Sequence, residues 1–153
     1  MTDRRAMRVF DAGPLVSVLL DAPGARKIAA ALDSDLTMCR VSSVTYSRVI
    51  ERVARKSATA GHEVAGVIDW WIAGGLCIDP VDAEMACAAA AIRAEHHHAK
   101  RSPITLVDCH AIALAANHHA ELASSDAAVL RVAKLVGLKV LALPDATGTL
   151  RKP

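Results

Sequence analysis

The chain has 153 residues, 53% of them hydrophobic and 22% charged, with a formal net charge of +2 and a sequence pI of about 8.4. That length suits one compact domain able to bury a core. The mild charge makes no strong electrostatic case for nucleic acid. One Phe, one Tyr and two Trp are too few for a base-stacking platform, so any nucleic acid is expected to be held through its backbone or a metal.

An apolar run ends at Asp11, where Gly13 and Pro14 break it, as expected of a buried strand followed by a turn. A short helix over residues 14–20, a turn at 21–24 and a second helix over 25–32 follow, then a short strand at 36–40. Ser42 or Ser43 is placed to cap the next helix, whose apolar face carries Val44, Val49, Val53 and Ala54 and whose other face is basic, with Arg48, Arg52, Arg55 and Lys56. Residues 62–73 form the next expected helix, with an apolar stripe of Val64, Val67, Ile68 and Trp71. Trp70 and Trp71 both read as packing groups. A strand at 76–79 ends at Pro80, and an alanine-rich helix runs from Asp82 to about residue 97.

Consecutive histidines point to different sides of a helix, so His96, His97 and His98, like His118 and His119, read as solvated surface and not as zinc ligands. Pro103 and Thr105 mark the start of a helix reaching residue 116. A strand and turn at 121–126, a helix over 127–136 ended by Gly137, and a last strand at 138–143 complete the domain. It is expected to span residues 1–145, with a loosely ordered polar tail over 146–153. Cys39, Cys77, Cys87 and Cys109 stand singly in apolar segments and read as reduced core residues. No charged-then-apolar leader is visible, and no uninterrupted apolar stretch reaches membrane-spanning length. The expectation is a cytoplasmic protein that does not associate with membranes.

Alternating short strands and helices imply an α/β domain, a short parallel central sheet with helices on both faces. Asp11 and Asp126 would then stand at the carboxyl ends of neighbouring strands, where open sheets expose their ligand crevice. Each carboxylate also has a local explanation. Asp11 and Asp126 suit helix N-caps, and Asp108 suits the first turn of its helix, where the dipole favours negative charge. If all three meet, their repulsion raises their pKa values unless a cation holds them together. Oxygen ligands of this kind suit Mg²⁺ or Mn²⁺, and such a site activates water and stabilises charge on a phosphodiester.

Four stretches carry a family resemblance: Val-Phe-Asp-Ala-Gly-Pro-Leu at 9–15, Val-Ser-Ser-Val-Thr-Tyr at 41–46, Thr-Leu-Val-Asp-Cys-His-Ala-Ile-Ala-Leu-Ala at 105–115, and Leu-Ala-Ser-Ser-Asp at 122–126 followed by Leu130 and Gly137. In this order, over nearly the whole chain, they resemble the PIN-domain ribonucleases, in particular the VapC-type toxins of bacterial toxin–antitoxin pairs. The resemblance implies a PIN-like fold and a Mg²⁺-dependent endoribonuclease that cuts a structured RNA such as transfer or ribosomal RNA, dimerises, and is silenced by a cognate antitoxin. It also implies Asp11 and Asp108 as principal metal ligands, Asp126 as the third acid and Ser124 as the hydroxyl residue beside it.

One position departs from the family pattern. Where a glutamate is usual on the helix after the second strand, this chain has Arg48. A guanidinium there would compete with Mg²⁺ or grip an RNA phosphate. Glu51, three residues on, would stand in for the missing acid only if it shared the crevice; the other reading is a surface residue paired with a nearby arginine. Two functions follow: a metal-dependent ribonuclease toxin, or a degenerate PIN-like module that binds RNA or an antitoxin with little or no cleavage. For an amphipathic antitoxin helix, the apolar residues Val16, Leu19, Leu20, Ile50, Val64, Val67 and Trp71 offer candidates, though core packing explains most of them equally well.

Overall fold

The computed structural model describes residues 6–153; residues 1–5 of the expected domain lie outside the described residues. In chain order the elements are β1 (Arg8–Phe10), α1 (Ala12–Leu19), α2 (Ala25–Asp33), a 3₁₀ turn (Leu36–Met38), β2 (Cys39–Ser42), α3 (Ser43–Ser57), α4 (Gly61–Ala73), β3 (Cys77–Asp79), α5 (Ala83–His96), α6 (Leu106–His118), β4 (Glu121–Ser124), α7 (Ala127–Leu135) and β5 (Val140–Ala142). All strand pairings are parallel, in the order β3-β2-β1-β4-β5, as the alternation of elements implied.

Side chains along each strand alternate between two cores. Val9 and Leu122 join Ala89, Ile112 and Val129 beneath α5, α6 and α7. Phe10, Val41 and Ala123 join Ile28, Val49 and Ile68 beneath α1 to α4. Both faces of the sheet are therefore covered, which is why the strands are short apolar runs. Across the register pair Arg8–Glu121, Nε of Arg8 donates to the glutamate at 2.9 Å. Arg40 makes a forked contact to Asp79 on β3.

Several local expectations need correction. The strand expected at 36–40 begins at Cys39, because Thr37 and Met38 bond back to Asp35 and wind the preceding residues into a 3₁₀ turn. The first helix starts at Ala12, capped by Asp11, and carries Pro14 in its first turn, where a missing N–H costs nothing. On α4 the buried residues are Val64 and Ile68. Val67 is 52% exposed and Trp70 80% exposed, so Trp70 is not a packing group; α4 lies mainly on α3 and buries a narrow stripe. Cys87 is exposed, about 200° around α5 from the buried Ala89. Cys39 and Cys109 are buried as expected, Cys77 is half-buried, and all four are free thiols.

The histidines are not simply solvated. Nδ1 of His98 accepts the N–H groups of Lys100 and Arg101, and Nδ1 of His97 lies 3.0 Å from the carbonyl of Ile104. Nε2 of His118 lies 4.0 Å from Asp79. The tail is likewise not loose where it leaves the sheet. The carboxylate of Asp145 folds residues 145–151 into a turn by accepting from Thr147, Thr149 and Arg151. Among the described residues, no helix is long and apolar enough to cross a membrane.

Candidate active site

The chain runs from β1 to β2 on one side of the sheet and later returns to place β4 on the other, so the order reverses between β1 and β4. A crevice opens at the carboxyl ends of strands at such a point. Asp11 is the first residue beyond β1. Its N–H donates to the carbonyl of Ala123 at 3.0 Å, Oδ1 accepts the N–H of Ala12 at 2.8 Å, and Oδ2 accepts the hydroxyl of Ser124 at 2.9 Å. Ser124, fully buried at the end of β4, in turn accepts the N–H of Asp126 at 3.1 Å. A relay of two hydrogen bonds thus joins the ends of β1 and β4 and orients Asp11.

Asp126 is exposed and caps α7, with Oδ1 accepting from Ala128 and Val129. Asp108 forms a capping box with Thr105: its Oδ2 accepts the N–H of Thr105 at 2.6 Å, and its own N–H donates to Thr105 Oγ1. Capping and clustering are therefore compatible. Each carboxylate satisfies a helix start, and helix starts converge on this end of the sheet. One oxygen of Asp108 and one of Asp126 lie outside the caps.

Asp11, Asp108, Asp126 and Arg48 line a single cleft of about 510 Å³. Burial raises the Asp11 carboxyl to about 7; the charges of Asp108 and, less strongly, Asp126 push in the same direction, against the N–H of Ala12 and the hydroxyl of Ser124. The Asp108 carboxyl is also raised, chiefly by burial and further by Asp126, while Thr105 and the Arg48 guanidinium oppose the rise. Arg48 thus acts electrostatically on the acidic cluster. Glu51 does not join it. It is exposed, paired with Arg55 at 3.1 Å, and borders a neighbouring groove that it shares with Arg48.

Among the described residues, no three His, Cys, Asp or Glu side chains group closely enough to hold a metal ion between them. The aspartates share a cleft without forming a ready-made cage. The donor chemistry still fits a hard cation. Mg²⁺ keeps several waters and is commonly held through one or two carboxylates, and buried acids with raised pKa values are the groups a cation would relieve.

Sequence reasoning missed three residues at this cleft. Ser125 packs against Gly13, where a Cβ would stand 3.0 Å from its hydroxyl. Asp145 and Arg151 reach the cleft from the C-terminal turn. Their signal in the sequence was only a polar stretch after Pro144.

Fold and site together define a parallel α/β domain with an acidic crevice at its switch point and an arginine on the crevice wall. The family model described as PIN domain matches residues 8–135, and the chain belongs to that family. Similar solved structures include FitAcB from Neisseria gonorrhoeae, 22% identical over 88% of this chain and 96% of that one, with a TM-score of 0.61. A structure of FitAB bound to an IR36 DNA fragment is 22% identical, with a TM-score of 0.63 over 88% of this chain and 94% of that one. A toxin–antitoxin complex from Klebsiella pneumoniae is 20% identical, with a TM-score of 0.60 over 80% and 89% of the two chains. At these identities the likeness is one of fold. No curated protein sequence matches the chain significantly.

Proposed function

We propose that the chain is a Mg²⁺- or Mn²⁺-dependent endoribonuclease toxin of a type II toxin–antitoxin pair. The observation that carries this reading is the buried Asp11 carboxyl, raised to about 7 and sharing one cleft with Asp108 and Asp126 at the sheet's switch point. Asp11 and Asp108 are the residues that would hold the cation, with Asp126 completing the site. When bound, the cation would offset their charge and stabilise charge developing on an RNA phosphodiester. Ser124 positions Asp11 by donating to Oδ2. Asp126, the most exposed of the three, has an oxygen outside its cap that is available to take a proton from the attacking water. An antitoxin partner is supported by the fold likeness to a toxin–antitoxin complex. Dimerisation and a transfer or ribosomal RNA target follow from the family resemblance alone.

Arg48 favours a second reading, a PIN-like module that binds RNA or its antitoxin but cleaves weakly or not at all, because a guanidinium at this cleft competes with a divalent ion. Cleavage of total transfer and ribosomal RNA by the wild type, Asp11→Asn and Arg48→Glu, with Mg²⁺ or Mn²⁺ varied, separates the two. Metal-dependent cleavage lost in Asp11→Asn supports the toxin. No cleavage by the wild type and a gain in Arg48→Glu supports the degenerate module.

A further inference from the structure

Two groups of cations line the cleft from different elements, and the cleavage reaction proposed above gives neither a part in holding substrate. On α3, Arg48, Arg52 and Lys56 recur every four residues, about 6 Å apart by helical rise, so they form one stripe along the cleft wall. Among the described residues, no salt bridge or side-chain hydrogen bond ties any of the three to a carboxylate. The other cation is Arg151, whose side chain is 60% exposed and whose Nε is fixed by Asp145 at 2.7 Å.

The turn that presents Arg151 is seated by close fit. A Cβ on Gly24 would stand 2.7 Å from the Cβ of Pro144 and 2.9 Å from the carbonyl oxygen of Asp145. Gly148, at φ +83°, packs its backbone on Pro23. Only a residue without a side chain at position 24 lets the turn approach the start of α2 so closely. The isolated bridge between Pro144 and Leu150 closes the turn.

Four cationic and four acidic side chains line the cleft. They cancel in formal charge, so a divalent cation on the acids leaves an excess of two positive charges. That excess lies on α3; in the C-terminal turn Asp145 offsets Arg151, whose exposed guanidinium is still presented to the cleft within electrostatic reach of Asp126, an arrangement suited to a polyanion passing over the acidic centre.

We propose that Arg151 and the Arg48–Arg52–Lys56 stripe form a jaw, one part on the C-terminal turn and one on α3, that grips the backbone phosphates of the RNA strand around the phosphodiester to be cut, which makes the C-terminal turn part of the substrate site. This rests on the nuclease reading, but its test reads binding. The probe is a short, mixed-sequence, fluorescently labelled single-stranded RNA. Anisotropy titrations across a range of KCl use Asp11→Asn in Mg²⁺ as the parent, because it lacks a carboxylate needed for cleavage and its lining, with three acids against four cations, stays net positive.

Arg151→Ala is expected to weaken binding and to reduce the slope of log K against log salt by about 0.7; the double variant Arg52→Ala/Lys56→Ala reduces it by about 1.4. Gly24→Ala keeps every charge but displaces the turn, so it should weaken binding as Arg151→Ala does. Lys139→Ala, at the opposite end of the sheet, leaves binding unchanged. If the parent fails to bind, or if either Arg151→Ala or the double variant keeps the parent's slope, the jaw is overturned. Should Gly24→Ala unfold, as thermal melting would reveal, the arginine and lysine variants decide alone. Cleavage by the wild type is scored separately, so an active nuclease with unchanged slopes sinks the jaw and spares the nuclease, and altered slopes without cleavage do the reverse.

Discussion

Asp11 is 4% exposed and faces two other carboxylates, so its ionised form works against the fold. A rise from the ordinary 3.8 to about 7 corresponds to about 4 kcal/mol against that form. The sign follows from proton linkage. Between pH 4 and 7 the folded protein holds a proton on Asp11 that the unfolded chain has released, so stability falls as pH rises through this window and levels off above it. The raised Asp108 carboxyl adds to the same trend. Asp11→Asn removes the charge while keeping the shape. The amide oxygen still accepts from Ala12 and the amide nitrogen donates to the Ser124 oxygen, while the Ser124 hydroxyl hydrogen gives up its acceptor, which offsets part of the gain. The variant is therefore expected to be more stable than the wild type by a few kcal/mol at pH 8, with little difference at pH 4. Urea unfolding in EDTA at both pH values measures this, and Mg²⁺ should narrow the gap at pH 8 by stabilising only the wild type. A wild type whose stability does not change between pH 4 and 8, or a variant no more stable at pH 8, would refute the account of a buried, mutually repelling acidic site.

Three further outcomes are expected. Ser124→Ala deprives Asp11 Oδ2 of its donor and should cost about 1–3 kcal/mol, read as a drop in Tm, while raising the Asp11 pKa further. Arg48→Glu should tighten Mn²⁺ binding in calorimetric titrations, whatever its effect on cleavage, because it exchanges an opposing charge for a ligand. Gly75→Ala should lose at least about 1 kcal/mol in denaturant unfolding, because φ is +116° there and a Cβ would stand 2.7 Å from a methyl of Thr37; the same change at Gly66, with nothing within 4 Å on α4, should gain about 0.4–1 kcal/mol.

Much of this architecture is written locally. Helix starts carry their own acceptors, so Asp11, Ser42, Asp82, Thr105 and Asp126 were legible as caps or near-caps from residue type and position. The alternation of short apolar runs with helical stretches gave the parallel sheet, since both periods can be read within a few residues. Boundaries failed where a side chain competed with the strand, as Thr37 and Asp35 do ahead of Cys39. Burial failed on α4 and α5, where Trp70 and Cys87 have the composition of core residues and stand on faces that nothing covers.

The sequence by itself determined the fold class, the family and three acids each poised at a helix start, because these depend on neighbours a few residues away. Tertiary structure alone decided that Asp11 and Ser124, 113 positions apart, share a hydrogen bond, that Arg48 faces the acids while Glu51 turns to Arg55, and that the C-terminal turn brings Arg151 to the same cleft. Those relations come from which strands pair and how closely backbones approach. A strand's own residues specify its pleat but not its partner, so the meeting of distant side chains becomes visible only once the sheet is assembled.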